Sequence, residues 1–143
     1  MRENFDKAFA LTIGVEGGHS NDPRDPGGET QYGISKRYHP NIDIKNLTLD
    51  GAKEIYLKEY WLPAGCDATP YPMDICLFDS QVNPQNDPKL PGGGNQEILN
   101  QKPGNWQEYM MLRMVRYMKN SKDVYVKGHI FRVLRLFEQI RGK

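Results

Sequence analysis

The stretch EGGHSNDPRDPGGETQYGIS, residues 16–35, separates an apolar N-terminal segment from the remainder of the chain. It contains five glycines and two prolines, the strongest turn signals in a sequence, and is therefore predicted to be a loop. It also carries four carboxylates: Glu16, Asp22, Asp25 and Glu29. A glutamate at the start of such a loop either ends a helix or performs chemistry, and the surrounding sequence has to decide between the two.

The segment before this loop is predicted to form an amphipathic helix over residues 3–16. One helical face recurs at three- and four-residue steps and consists of Phe5, Ala8, Phe9, Thr12, Ile13 and Glu16. Gly17 and Gly18 are the expected C-terminal cap, which places Glu16 at the edge of the apolar stripe. After the loop, Thr30, Tyr32 and Ile34 alternate with smaller or polar residues, which predicts a short strand or hairpin arm.

Four more helices are predicted, over residues 47–62, 73–83, 105–120 and 124–140, with Thr48 as an N-cap and an Asn-x-x-Glu cap before the third. Residues 84–95 are predicted to be a loop. The expected inward residues are Ala52, Ile55, Tyr56, Tyr60, Ile75, Phe78, Val82, Met111, Leu112, Val115, Met118, Val126, Ile130, Val133, Leu134 and Phe137. The sequence thus predicts a single, mainly α domain over residues 1–143 with a small N-terminal β element.

Composition excludes several classes of protein. With 26% charged and 38% hydrophobic residues, the chain is globular rather than disordered. The net charge of +1 is uneven: residues 1–101 hold 9 basic and 15 acidic residues, whereas residues 102–143 hold 10 and 3. A basic half of this kind either attracts anionic polymers, such as nucleic acid, acidic glycans or the bacterial wall, or is simply a solvated charge layout.

Cysteine usage and the N-terminus limit the protein's setting. Cys66 and Cys76 have neither CxxC spacing nor a partnered histidine cluster, so buried thiols are predicted rather than a zinc site. The first residues, MRENFDKAFALTIGVEGG, have early acids and a short apolar run, which fits neither a secretory signal nor a membrane span. A protein acting outside the cytoplasm would then need another route of export.

Most catalytic motifs are absent from the sequence. GGGN lacks the lysine and hydroxyl residue of a phosphate loop, and no nucleophile elbow is present. His19, His39 and His129 lack metal-ligand spacing, and the acids of NDPRDPGGE do not follow the EF-hand pattern. A calcium loop is conceivable there, but the spacing favours no metal site.

The acids of the opening loop suit glycoside cleavage. A carboxyl group on an apolar helix face tends to have a raised pKa, because desolvation penalises the anion, and a general acid needs such a pKa. Glu16 fits that role, Asp25 can act as the second, more solvated carboxylate, and Thr30 can help to hold a water molecule. The structural alternative is a helix-end glutamate, Asx turns at Asp22 and Asp25, and a β-forming threonine.

The loop also resembles a known family. EGGHSNDPRDPGGETQYGIS is similar to the E-G-G-Y-x-x-D-P-x-D-x-G-G-x-T-x-x-G-I-[ST] signature of glycoside hydrolase family 108, which contains bacterial and phage N-acetylmuramidases, sometimes named secretion activator proteins. Downstream, FDSQVN (78–83) resembles the family's F-D-x-x-V-N, and GHIFRV (128–133) resembles its G-W-x-x-R-V. The resemblance is dense in residues 9–35 and 75–83.

The resemblance implies a lysozyme-like helical fold and hydrolysis of the β-1,4 bond between N-acetylmuramic acid and N-acetylglucosamine, without a cofactor. Glu16 matches the family's catalytic glutamate, and Glu16, Asp25 and Thr30 resemble the Glu-x8-Asp-x5-Thr triad of phage-type lysozymes, although the second gap here is four residues. Candidate substrate-binding residues are His19, Gln31, Tyr32, Asp79 and Asn83; the last two could equally form a buried polar network joining two helices.

The chain departs from the family pattern at His19, where tyrosine is usual, and at His129, where tryptophan is usual. The C-terminal half of the family often carries a wall-binding D-G-x-x-G-x-x-T region, which is shortened here. The single domain is therefore expected to consist of a catalytic part (1–83) and a shortened helical part (84–143). Expected partners are peptidoglycan glycan strands and not nucleic acid, with a holin or secretion system delivering the protein from the bacterial cytoplasm to the periplasm or wall. Two other functions stay open: a non-catalytic wall-binding or secretion-assisting protein, and a lytic transglycosylase.

Overall fold

The protein is built from α-helices and one two-stranded antiparallel sheet near the N-terminus. A computed structural model describes residues 1–14, 18–83, 93–120 and 123–142. Its elements are α1 (Phe5–Thr12), β1 (Thr30–Gln31), β2 (Ile34–Ser35), α2 (Leu49–Tyr56), α3 (Met73–Val82), α4 (Gly93–Asn100), α5 (Trp106–Asn120) and α6 (Asp123–Arg141). The mainly α, lysozyme-like class with a small β element is therefore confirmed. No helix in these ranges is long and apolar enough to cross a membrane.

Helix α1 is shorter than the sequence predicts. It ends at Thr12 because Gly14 adopts a left-handed backbone with φ of +88°. The amides of Ile13 and Gly14 both donate to the carbonyl of Phe9, at 2.8 and 3.2 Å, and so close the last turn. The prediction of one continuous helix through residue 16 was wrong, because α1 ends at Thr12; Glu16 and the predicted cap Gly17 lie outside the described residues.

The predicted hairpin after the loop is confirmed. Gln31 pairs with Ile34 and Thr30 with Ser35, so only Tyr32 and Gly33 connect the strands. Both connecting residues have positive φ, +50° and +75°, as the two-residue type I′ turn requires. The hydroxyl of Tyr56 in α2 donates to the Tyr32 carbonyl at 2.8 Å and fastens the turn to the helices.

This turn gives a stability prediction. A Cβ on Gly33 would lie 2.5 Å from the Tyr56 hydroxyl oxygen, in addition to the strain of its positive φ. We expect Gly33→Ala to lower the free energy of unfolding by about 2–3 kcal/mol, combining backbone strain with a damaged hydrogen bond. Gly65→Ala is the control, because its φ of +74° is similar but a Cβ there meets open space. Urea unfolding should show the smaller loss for Gly65→Ala; equal losses would contradict the proposed contact.

An aromatic cluster forms the centre of the core. Phe5 contacts Trp61 edge-on at 5.4 Å between ring centroids, and Trp61 lies 5.7 Å from Phe78 of α3. Cys66 and Cys76 are both buried and unpaired, as predicted. Burial raises the pKa of each thiol to about 12, so both stay protonated at neutral pH.

Helix α5 presents the opposite face from the predicted one. The predicted inward residues Met111, Val115 and Met118 are 58%, 44% and 63% exposed. The buried face instead carries Tyr109, Met110, Arg113, Arg116 and Tyr117. This face is buried despite its two arginines because carboxylates from α3 and α4 pair with them: Asp79 with Arg113, and Glu97 with Arg116.

The other C-terminal helices agree with the sequence in part. Val133 of α6 is buried as predicted, together with Leu136 and Ile140, whereas Leu134 is 39% exposed. Helix α4 begins at Gly93, within the region predicted to be a loop, and residues 84–92 of that region lie outside the described residues. The asparagine cap of α5 is confirmed, since the Asn105 side chain accepts from the Glu108 amide at 2.9 Å.

Candidate functional site

Asp79 is the centre of a buried polar network that joins three helices. Its Oδ2 lies 2.6 Å from Nη1 of Arg113 in α5, and its Oδ1 accepts a 2.9 Å hydrogen bond from the Thr12 hydroxyl in α1. The two charged side chains are 4% and 1% exposed. Burial opposes the charge on Arg113, but Asp79 and the Tyr117 oxygen outweigh this effect and raise the pKa of the guanidinium above its usual value. The Arg113 guanidinium therefore keeps its positive charge despite its burial.

Asn83 extends this network to α6. Its carbonyl accepts a 2.9 Å hydrogen bond from the Tyr117 hydroxyl, and its side-chain oxygen accepts one from Arg132. The Tyr117 ring lies 4.7 Å from that of His129. Asp79 and Asn83 thus form the polar network between helices that the sequence offered as an alternative to substrate binding. Their contact with substrate stays a prediction.

A groove of about 410 Å³ lies beside this network, between α1, α3 and α6. Leu11 and Thr12 line it from α1, and Asp79 lines it from α3. The α6 wall includes Gly128, Phe131, Arg132, Arg135, Leu136 and Gln139. Both polar and apolar groups are therefore present, as in sites that bind extended polar ligands.

The hairpin brings the loop back on itself. Ser20 and Thr30 form an antiparallel bridge, with amide-to-carbonyl distances of 2.8 and 2.7 Å in the two directions. Beside this bridge, Nε2 of His19 lies 2.9 Å from a carboxylate oxygen of Glu29. His19 and Ser20 are thereby held against β1, beside Thr30, which the sequence predicts to be a catalytic residue.

Asp25 and Thr30 are attached to the same residue, Gly28. The Thr30 hydroxyl donates to the Gly28 carbonyl at 3.1 Å, and the Gly28 amide donates to the Asp25 carbonyl at 3.0 Å. The Asp25 side chain is exposed, and its Oδ1 accepts from the amide of Gly27 at 2.8 Å in an Asx turn. The sequence offered such a turn as the alternative to a catalytic role for Asp25. The turn uses only one of the two carboxylate oxygens.

Gln31 and Tyr32, both predicted to contact substrate, are half-buried at the hairpin. The side-chain oxygen of Gln31 is buried and accepts no hydrogen bond from any residue that the structure describes. Tyr32 packs against the hydrophobic core, and its contact with substrate stays a prediction.

Glu16 lies outside the described residues, as do Val15 and Gly17. In the sequence it is four residues from Thr12, which lines the groove, and four from Ser20, which pairs with Thr30. Its contact with the groove or the hairpin stays a prediction from the sequence.

Sequence reasoning missed Arg113, Arg132 and the groove itself. A partial signal for Arg113 existed: Tyr109 and Tyr117 stand at four-residue steps on either side of it, so the three side chains share one helical face. Within the described ranges, no group of three or more His, Cys, Asp or Glu side chains is arranged to hold a metal ion.

Comparison with known proteins defines the class. The family model described as Glycosyl hydrolase 108 matches residues 9–84, from the middle of α1 through the loop, the hairpin and α3. The class is that of the glycoside hydrolases. Since the match covers just over half of the chain, the chain belongs to glycoside hydrolase family 108. A search of curated proteins finds no match.

Proposed function

We propose that the protein is a peptidoglycan hydrolase of the N-acetylmuramidase type. The observation that carries this proposal is the closed loop: the Ser20–Thr30 bridge ties the chain after Glu16 to β1, and Gly28 ties Asp25 to Thr30. Residues from two ends of a glycine-rich loop thereby gather around one edge of the hairpin. The family match covers this whole arrangement, which supports glycoside cleavage as its chemistry.

In the proposed mechanism, Glu16 protonates the glycosidic oxygen as the bond breaks. The exposed carboxylate of Asp25, with one oxygen fixed by the Gly27 amide, stabilises positive charge at the anomeric carbon or orients the attacking water. The Thr30 hydroxyl donates to Gly28 and retains lone pairs that can accept from that water. A carboxyl separation of roughly 6.5–9.5 Å between Glu16 and Asp25 would correspond to inversion.

The remaining predicted residues divide into two groups in this proposal. His19, Gln31 and Tyr32 lie at the hairpin, where an amide and aromatic faces suit N-acetyl groups and sugar rings. Asp79 and Asn83 act as positioning residues, because they fix Thr12 and Arg132 at the groove.

Product analysis tests the reaction type. Purified protein is incubated with isolated peptidoglycan, and the soluble fragments are analysed by mass spectrometry. A muramidase releases fragments with a reducing N-acetylmuramic acid end, whereas a lytic transglycosylase releases 1,6-anhydro ends. Reducing ends are expected. Anhydro ends, or no fragments at all, would contradict the proposal, the second result favouring a non-catalytic wall-binding protein.

We also infer that the protein works on glycan strands of the bacterial wall after export from the cytoplasm through a holin or a secretion system. The basic last third of the chain supports wall association, with 10 basic and 3 acidic residues over 102–143. Fractionation of producing cells, with and without a co-expressed holin, tests this inference: the protein should leave the cytoplasmic fraction only when the holin is present.

A further inference from the structure

The groove between α1, α3 and α6 has a positively charged wall on α6, and Glu138, three residues from Arg135, lies outside its lining. Arg132 and Arg135 both line it, and both side chains are exposed. Residues three apart on a helix are neighbours on one face, with Cβ atoms about 5–6 Å apart. Among the described lining residues, Asp79 is the one carboxylate, and it is already paired with Arg113. The groove is therefore built to receive anionic groups.

Gly128 indicates that the groove is kept open. It lies within α6, where glycine costs about 1 kcal/mol relative to alanine. Its φ is not positive, and a Cβ at this position would meet nothing within 4 Å, so neither backbone conformation nor close packing explains the glycine. Gly128 does line the groove, where a side chain would occupy part of the space.

The groove also has apolar surface. Phe131 lines it with a side chain that is 55% exposed, and Leu11 lines it from α1. A ligand that fits must therefore combine carboxylates with aliphatic groups. Its volume of about 410 Å³ exceeds what a single small ion needs and lies within the range of roughly 300–1,000 Å³ that ligand pockets have.

We propose that this groove binds the acidic stem peptide that wall glycan carries on its muramic acid, with Arg132 and Arg135 paired to the peptide carboxylates. This inference rests on the proposed function. Thr12, at the α1 side of the groove, is four residues from Glu16 in the sequence, and under the proposed function Glu16 acts at the sugar next to the one that carries the peptide. The contact would favour peptide-bearing glycan over the same glycan stripped of its peptides.

Binding measurements on two matched ligands test the proposal. Soluble glycan fragments are prepared with their stem peptides or with the peptides removed by an amidase, which leaves the muramic acid carboxylate free. Arg135→Gln is expected to weaken binding of peptide-bearing fragments on the order of tenfold, since a charge-assisted hydrogen bond is lost. The loss should shrink at high salt and be much smaller for stripped fragments.

Arg141→Gln is the matched control, because it removes the same charge from the same helix but does not line the groove. It should bind both ligands as the unmodified protein does. Equal weakening of both ligands by Arg135→Gln, or equal weakening by Arg141→Gln, would overturn the peptide assignment in favour of sugar contact or general charge attraction.

Gly128→Leu supplies a second variant that does not threaten folding. Leucine has the better helix propensity, so the melting temperature should hold or rise, while its side chain fills the groove. Binding of peptide-bearing fragments should fall on the order of tenfold, and unchanged binding would overturn the proposal. Binding is measured without turnover, so it tests the peptide assignment separately from catalysis. If the unmodified protein cleaves neither glycan, that result contradicts the muramidase function instead.

Discussion

Glu16→Gln is expected to abolish wall hydrolysis while leaving the protein folded. Glutamine has nearly the shape of glutamate but cannot donate a proton to the leaving oxygen. General acid catalysis contributes typically 10²–10⁴-fold, so a loss of about that size is expected. The rate of clearing of a cell-wall suspension measures the loss, and thermal unfolding of the same preparation should give an unchanged melting temperature.

A control in the same loop separates general acid catalysis from nonspecific effects of charge. Asp22 is in an exposed pair with Arg24 at 2.9 Å, and the Asp22 side chain also accepts from the Arg24 amide. Asp22→Asn removes one carboxylate from the same segment and is expected to keep activity within about twofold, since exposed ion pairs contribute little. Retained clearing by Glu16→Gln, or an equal loss with Asp22→Asn, would refute the assignment of Glu16.

Asp79→Leu is expected to produce the largest loss of stability. It leaves the Arg113 guanidinium buried without its counter-charge and removes the acceptor of the Thr12 hydroxyl. Breaking one side of a buried ion pair typically costs about 3–5 kcal/mol. The change in the free energy of unfolding, measured by urea titration, should fall in this range.

Two controls define the cause of that loss. Asp79→Leu combined with Arg113→Met removes both charges, and the double variant should regain most of the lost stability, because an apolar pair can replace a buried ion pair. Glu54→Gln breaks the exposed Glu54–Lys58 pair, whose side chains are 64% and 66% exposed, and should cost less than about 0.5 kcal/mol. A double variant as unstable as Asp79→Leu alone would show that packing, not the unpaired charge, causes the loss.

The parts of the site that depend on interactions between residues close in sequence could be predicted. The turn at Tyr32-Gly33 needs positive φ at two successive residues, and the alternation around it is short-range, so the hairpin followed from the sequence. The end of α1 did not, because glycine is tolerated within helices as well as at their ends. Only the bonds from Ile13 and Gly14 to the Phe9 carbonyl decide that the helix stops at Thr12.

Long-range pairing explains the larger errors. Hydrophobicity selects Met111, Val115 and Met118 as the inner face of α5, yet the helix buries Arg113 and Arg116. A buried arginine is favourable only when a partner lies opposite, and the partners Asp79 and Glu97 come from other helices. Nothing within the sequence of α5 specifies those partners.

By itself, the sequence determined the class of fold, the caps at Thr48 and Asn105, the hairpin and the family signature, because each depends on residues close together in the chain. The tertiary structure alone decided that Ser20 returns to Thr30, that Asp79 is bound to Arg113, and that α1, α3 and α6 enclose a basic groove. The Ser20–Thr30 bridge forms when the loop between them closes. The ion pair and the groove join residues distant in the chain, and their contacts form only when the helices pack and exclude water from the polar groups between them.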